Sequence, residues 1–167
     1  MNKHRDNPDC QQGLTLIELL VVILLACMLT SWGVGQWHQY QQALRLEQTA
    51  QQLLAFLTRL QADANWRNRN ALLWFRPGKD WCVGSGVPIT SCSVQENWVF
   101  KPEYHDVALR DYTQKEMGFY GVRNNAQAGS ILLGNQAGQI RLVLSAKGRL
   151  RLCSQGTVIR SIALCQP

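Results

Sequence analysis

One segment limits the folds open to this chain more than any other. Residues 14–34 read Leu-Thr-Leu-Ile-Glu-Leu-Leu-Val-Val-Ile-Leu-Leu-Ala-Cys-Met-Leu-Thr-Ser-Trp-Gly-Val. Such a run is long enough to cross a hydrocarbon layer, which takes about 20 helical residues. It is expected to be a membrane span. The polar stretch ahead of it holds Lys3 and Arg5, and the next basic residue beyond it is Arg45. Basic residues of short flanking segments stay in the cytoplasm, so the N-terminus is expected there and the remainder on the exported side.

A secretory signal carries a shorter apolar region and is cut on its exported side, after a small residue. Here the order is inverted, because Gly13 precedes the apolar run and a cut there would leave the helix on the mature chain. The stretch Gly13-Leu14-Thr15-Leu16-Ile17-Glu18 resembles the class III signal of type IV prepilins and type II secretion pseudopilins. In that signal a glycine is followed by the cut, an apolar residue, and a glutamate fifth in the mature chain. Leu14 stands where the family usually has phenylalanine and keeps the position apolar. The resemblance implies a leader of residues 1–13, cleavage between Gly13 and Leu14 by a prepilin peptidase, and N-methylation of Leu14. Asp6 and Asp9 balance the leader's basic residues, so the orientation rests on the resemblance as well as on charge.

Glu18 is the chemical centre of this segment. A carboxylate in a bilayer costs a few kcal/mol at least and normally faces protein, paired with a cation. The resemblance implies that the partner is the α-amine freed on Leu14, in the same or an adjacent subunit, so that charge neutralisation sets the register of assembly. The plain alternative is an acid tolerated near the cytoplasmic interface, where the cost is low.

Beyond the transmembrane half, residues 14–35, the run over 36–70 is rich in Gln, Leu and Ala, with no Pro or Gly between Trp37 and Asn65. It reads as a continuing helix. Leu46, Ala50, Leu53, Leu57, Leu60 and Ala64 alternate in steps of four and three and make one apolar stripe. Either an intramolecular core or a partner helix would satisfy such a stripe; the pilin resemblance implies a β-sheet of the same chain. From residue 71 the period changes. Short apolar runs at 71–75, 81–83, 98–100, 117–122, 130–133, 139–145, 150–153 and 158–164, punctuated by turn residues, read as strands. The fold class expected is α+β: a long N-terminal helix on an antiparallel β domain of residues 71–167. A hydrophobic share of 46% and a charged share of 17% suit one packed core with an appendage and exclude a disordered tail.

Cys10 falls in the leader and Cys27 in the span, which leaves Cys82, Cys92, Cys153 and Cys165 for the exported part. An even number suits an oxidising compartment, and three pairings are open. The sequence-local one is favoured, Cys82 with Cys92 and Cys153 with Cys165. Neither spacing gives the close pairs of a zinc site, and no histidine lies near, so no metal is expected. His4, His38 and His105 are scattered, Ser85 lacks a nucleophile-elbow pattern, and there is no phosphate-binding glycine loop. No enzymatic activity and no cofactor are expected. Most of Trp66, Trp74, Trp81 and Trp98 are expected in the core or on sheet faces, with one or two free to anchor a neighbouring subunit.

The late stretch Gly148-Arg149-Leu150-Arg151-Leu152-Cys153 is similar to the Gly-Arg-x-Arg element of the GspH/FimT family of minor pilins and pseudopilins. Residues 63–70 and 118–124 extend that resemblance. It implies a low-copy pilus subunit that joins other minor pilins, primes the major pilin on an inner-membrane assembly platform, and ends at the pilus tip. A secretion pseudopilin shares the same N-terminus. Some members of the family bind DNA through this element, and Lys147, Arg149 and Arg151 would then grip phosphates. A solvated hairpin is the plain alternative, since alternate strand residues share a face.

Overall fold

The computed structural model describes residues 15–89, 92, 98–121 and 125–166. Contacts divide the chain into two units, Met1–Trp37 and His38–Pro167. Helix α1, Leu16–Arg67, runs 52 residues, unbroken at Gly35.

In the first unit the helix is apolar on every side. Its large hydrophobic residues from Leu16 to Leu29 are between 49% and 81% exposed, and mean hydropathy over the best window is 2.2. A helix apolar all round suits a membrane span or burial within a larger protein body. By length and composition it is able to cross a membrane.

The second unit holds the core. Leu46, Ala50, Leu53, Leu57, Leu60 and Ala64 are each at most 3% exposed, so the whole sequence-read stripe is buried. It joins one cluster with the inner faces of two antiparallel sheets. The first sheet contains β1 (Ala71–Arg76), β2 (Cys82–Ser85), β3 (Val99–Phe100), β5 (Met117–Phe119) and β6 (Ala126–Gln127), in the order β3-β2-β1-β5-β6. The second contains β4 (Ala108–Tyr112), β7 (Gly129–Asn135), β8 (Gly138–Leu144) and β9 (Leu150–Gln155), in the order β4-β7-β8-β9. Phe75 of β1 stacks on Tyr112 of β4 at 4.7 Å between centroids, which ties the sheets together.

Side-chain amides fix the helix along the second sheet. The β7–β8 turn donates from Asn135 Nδ2 to the Gln42 carbonyl at 2.8 Å, and Gln61 Nε2 donates to the Gly148 carbonyl of the β8–β9 turn at 2.8 Å. These turns cap opposite ends of β8. The helical rise from Gln42 to Gln61 is about 28 Å, close to the length of β8 with its turns, so the helix follows that strand.

Three expectations need correcting. The helix stops at Arg67, short of 70, because Asn68 takes a left-handed conformation with φ of 50°. Arg69 N–H then donates to the Ala64 carbonyl and Asn68 N–H to that of Asn65, which is a Schellman cap with asparagine at C′. Strands β4 and β6 were not anticipated, the former carrying a bulge between Leu109 and Asp111. Residues 158–164 are no strand: they form a tight turn closed by an Ile159–Ile162 bridge and touch β9 through a parallel Ser154–Leu164 bridge. Arg160, with φ of 50°, breaks the extended conformation there.

Candidate functional site

At the start of α1, Thr15 is the N-cap. Glu18 N–H donates to Thr15 Oγ1 at 3.3 Å, and the Thr15 hydroxyl lies 3.5 Å from the Glu18 carboxylate. Thr15-x-x-Glu18 is thus a capping-box spacing, a local pattern that sequence reading for the family motif passed over. Glu18 occupies the first helical turn, where four backbone N–H groups lack helical partners and the helix dipole is positive. An acid here is favoured by its own helix before any partner is considered. Gly13, Leu14 and the leader lie outside the described residues.

Residues 9–33 match the prokaryotic N-terminal methylation motif. Among solved structures, the chain is similar to the type IV minor pilin FimU of Pseudomonas aeruginosa, at 16% identity, over 67% of this chain and 98% of that one, with a TM-score of 0.49. No curated protein matches.

The cysteines of the second unit are joined Cys82–Cys92 and Cys153–Cys165, with Cα–Cα distances of 6.0 and 4.8 Å. Cys27 is free. Cys82 is fully buried, whereas Cys153 and Cys165 are half-buried. Among the described residues no group of three or more His, Cys, Asp or Glu side chains is placed to hold a metal ion.

Lys147, Arg149 and Arg151 sit on the β8–β9 hairpin, all exposed. Leu152 of β9 pairs with core-facing Leu142, so Arg151 and Cys153 stand on the opposite face, beside Val143 and Arg141. Arg149, two residues before Arg151, shares their alternation. Lys147 instead lines a recess beside the helix with Thr58, Gln61 and Asn65. Among the described residues no carboxylate reaches salt-bridge distance of these three cations.

The two mid-chain segments singled out in the sequence meet at the helix end. A Cβ on Gly121 would lie 2.5 Å from Arg69 N, and one on Gly118 2.4 Å from the Ala71 carbonyl oxygen. These glycines let the backbone pass close to the cap of α1 and to β1. Beside them, Arg67 Nε and Arg69 Nη2 bind the two oxygens of Asp63 at 2.7 and 2.9 Å. The Arg69 hydrogen bond, ahead of the Arg67 contacts, holds the Asp63 carboxyl below the usual carboxylate range. Trp66 is 90% exposed, outside the core that most of the tryptophans are expected to fill, while Trp81 is wholly buried and donates to the Val107 carbonyl at 2.7 Å.

A further group escaped sequence reading. Glu47, on the helix, is buried and accepts from Arg160 Nε at 2.6 Å, Ser161 Oγ at 2.5 Å and Gln51 Nε2 at 3.2 Å. The Arg160 guanidinium lies 4.8 Å over the Tyr40 ring. Tyr40 first, and Glu47 second, raise its pKa. No local pattern announces this, because the partners are 113 and 114 residues apart.

Proposed function

We propose that the chain is a type IV minor pilin of the GspH/FimT kind, resembling the enterobacterial prepilin peptidase-dependent protein A, which helps to start pilus assembly together with other minor pilins. The observation that carries this reading is the methylation motif at residues 9–33, continuous with a helix apolar on all sides that bears a single acid in its first turn.

In this reading a prepilin peptidase removes residues 1–13, and Leu14 becomes the methylated N-terminus. Residues 14–35 hold the subunit in the inner membrane, 36–70 continue the helix, and 71–167 lie in the periplasm before incorporation at the pilus tip. Glu18 pairs with the α-amine of Leu14 in the same or the neighbouring subunit. The capping arrangement at the helix start favours the carboxylate locally, and a cationic partner offsets the remaining cost of holding it at the edge of hydrocarbon. No cofactor enters and no reaction is catalysed.

The mature N-terminus tests the reading. Mass spectrometry of the chain from cells with and without the peptidase should find Leu14 first only in the former, and an uncut precursor in both would overturn it. A correctly cut Glu18→Leu subunit should fail to associate with other pilins. Co-purification with a major pilin, rather than with a secretion pseudopilin, distinguishes pilus from type II secretion.

A second reading, DNA capture, draws on the placement of Arg149 and Arg151 on one face, without acidic partners among the described residues. Phosphate contacts of this type weaken steeply with salt. A gel-shift with residues 38–167 across a salt series tests it, and no shift at low salt removes it.

A further inference from the structure

The second sheet ends at β9, an edge strand. Residues 156–166 lie against it as a strap. Ile159 and Ile162 are buried in the main core cluster. Ser154 N–H donates to the Ala163 carbonyl at 2.8 Å and Cys165 N–H to the Ser154 carbonyl at 3.0 Å, while the buried Ser154 hydroxyl donates to the Ile162 carbonyl at 3.1 Å. The strap is fastened twice more, by unlike chemistry: covalently through Cys165 to Cys153, and ionically through Arg160 and Ser161 to Glu47.

The two disulfides of this unit differ in access. Cys82 is wholly buried. Cys153 borders an open groove of about 320 Å³ together with Arg151, Val143, Leu152 and Leu164, and Arg141 is its partner across the ladder. Arg151 thus shares the groove with half-buried Cys153, and a nearby cation favours the thiolate that thiol–disulfide exchange must release.

We propose that Cys153–Cys165 is an exchange-active disulfide, acting as the redox catch of a C-terminal strap whose second catch is the Glu47–Arg160–Ser161 clamp. The co-reactant is a dithiol. Its thiolate attacks Cys165 Sγ, the S–S bond breaks, and Cys153 leaves as a thiolate beside Arg151. The second thiol then attacks the mixed disulfide and frees Cys165. Two electrons and two protons pass to Cys153 and Cys165, and the dithiol becomes a disulfide. With that catch open the clamp keeps the strap seated; with the clamp open the disulfide does. Only loss of both bares the β9 edge.

The full chain in detergent micelles provides the test, with dithiothreitol as the dithiol. Hydrogen exchange at the Ser154, Ile162 and Cys165 amides reports the strap, and alkylation with mass spectrometry reports which cysteines are free. Cys153 and Cys165 should be freed before Cys82 and Cys92. Strap amides should stay protected in reduced wild type and in oxidised Arg160→Ala. In reduced Arg160→Ala they should exchange about tenfold faster or more, as expected for a local opening. Glu47→Gln should reproduce that pattern from the other side of the clamp, and serves alone if Arg160→Ala does not fold. Prior release of Cys82 and Cys92, a strap that opens in reduced wild type, or one that stays protected with both catches undone would each overturn the proposal.

Discussion

The approach of β5 to β1 hangs on a missing methyl group. Gly118 pairs with Leu72, and a Cβ there would meet backbone atoms of Ala71 and Leu72, which cannot swing aside as a side chain can. Gly118→Ala is therefore expected to destabilise the second unit by about 1–3 kcal/mol, the usual range for overpacking, read as a lower denaturation midpoint. Gly118 was noted in the sequence only as part of a resemblance. Its physical reason was hidden there because the atoms it avoids belong to a strand more than 40 residues earlier. Asp63 offers a second test. Its folded pKa lies below its unfolded one, so between the two values the folded chain binds fewer protons and stability rises with pH. That contribution is complete above the ordinary carboxylate pKa and is lost on acidification from about pH 4 downward. Asp63→Asn should flatten this part of the stability-versus-pH curve without altering the plateau's shape near neutrality.

Among elements, α1 was the most legible and its end the least. The stripe from Leu46 to Ala64 is read directly from spacing, since burial on one helix face imposes the 3.6-residue period. The stop depends on one residue, Asn68, adopting a conformation that no glycine advertised. Asn68→Ala should cost about 1 kcal/mol, because a Cβ without a compensating polar group disfavours the left-handed region, whereas Asn68→Gly should be neutral or stabilising. Thermal melts of the two variants, compared with wild type, check the pair. Residues 158–164 were misread for the opposite reason: their apolar content suits a strand, but Ile159 and Ile162 are buried as plugs on either side of a turn. Strand β4 was missed because its bulge spoils the alternation on which such a reading depends.

At the scale of the whole chain, the buried core lies within His38–Pro167. Removal of residues 1–37 should therefore leave a cooperatively folding, water-soluble protein with both disulfides, as judged by circular dichroism melts and dispersed amide resonances. The complete chain should need detergent or lipid, because its first unit presents only apolar side chains along more than three helical turns. The N-terminal candidate site could be read from the sequence because its chemistry is contiguous, Gly13 to Glu18. The Glu47 clamp and the groove at Cys153 could not, since each is assembled from segments that only folding brings together.

Trp81 and Trp66 occupy opposite extremes of environment, one sealed in the core and the other standing in solvent beside the helix cap. The molecule therefore carries its own pair of optical reporters. In a variant that keeps Trp81 alone of the six tryptophans, emission should follow the integrity of the interior. In one that keeps Trp66 alone, quenching by iodide should fall when something settles on that end of the helix. Unfolding and docking can thus be followed separately, without an added label.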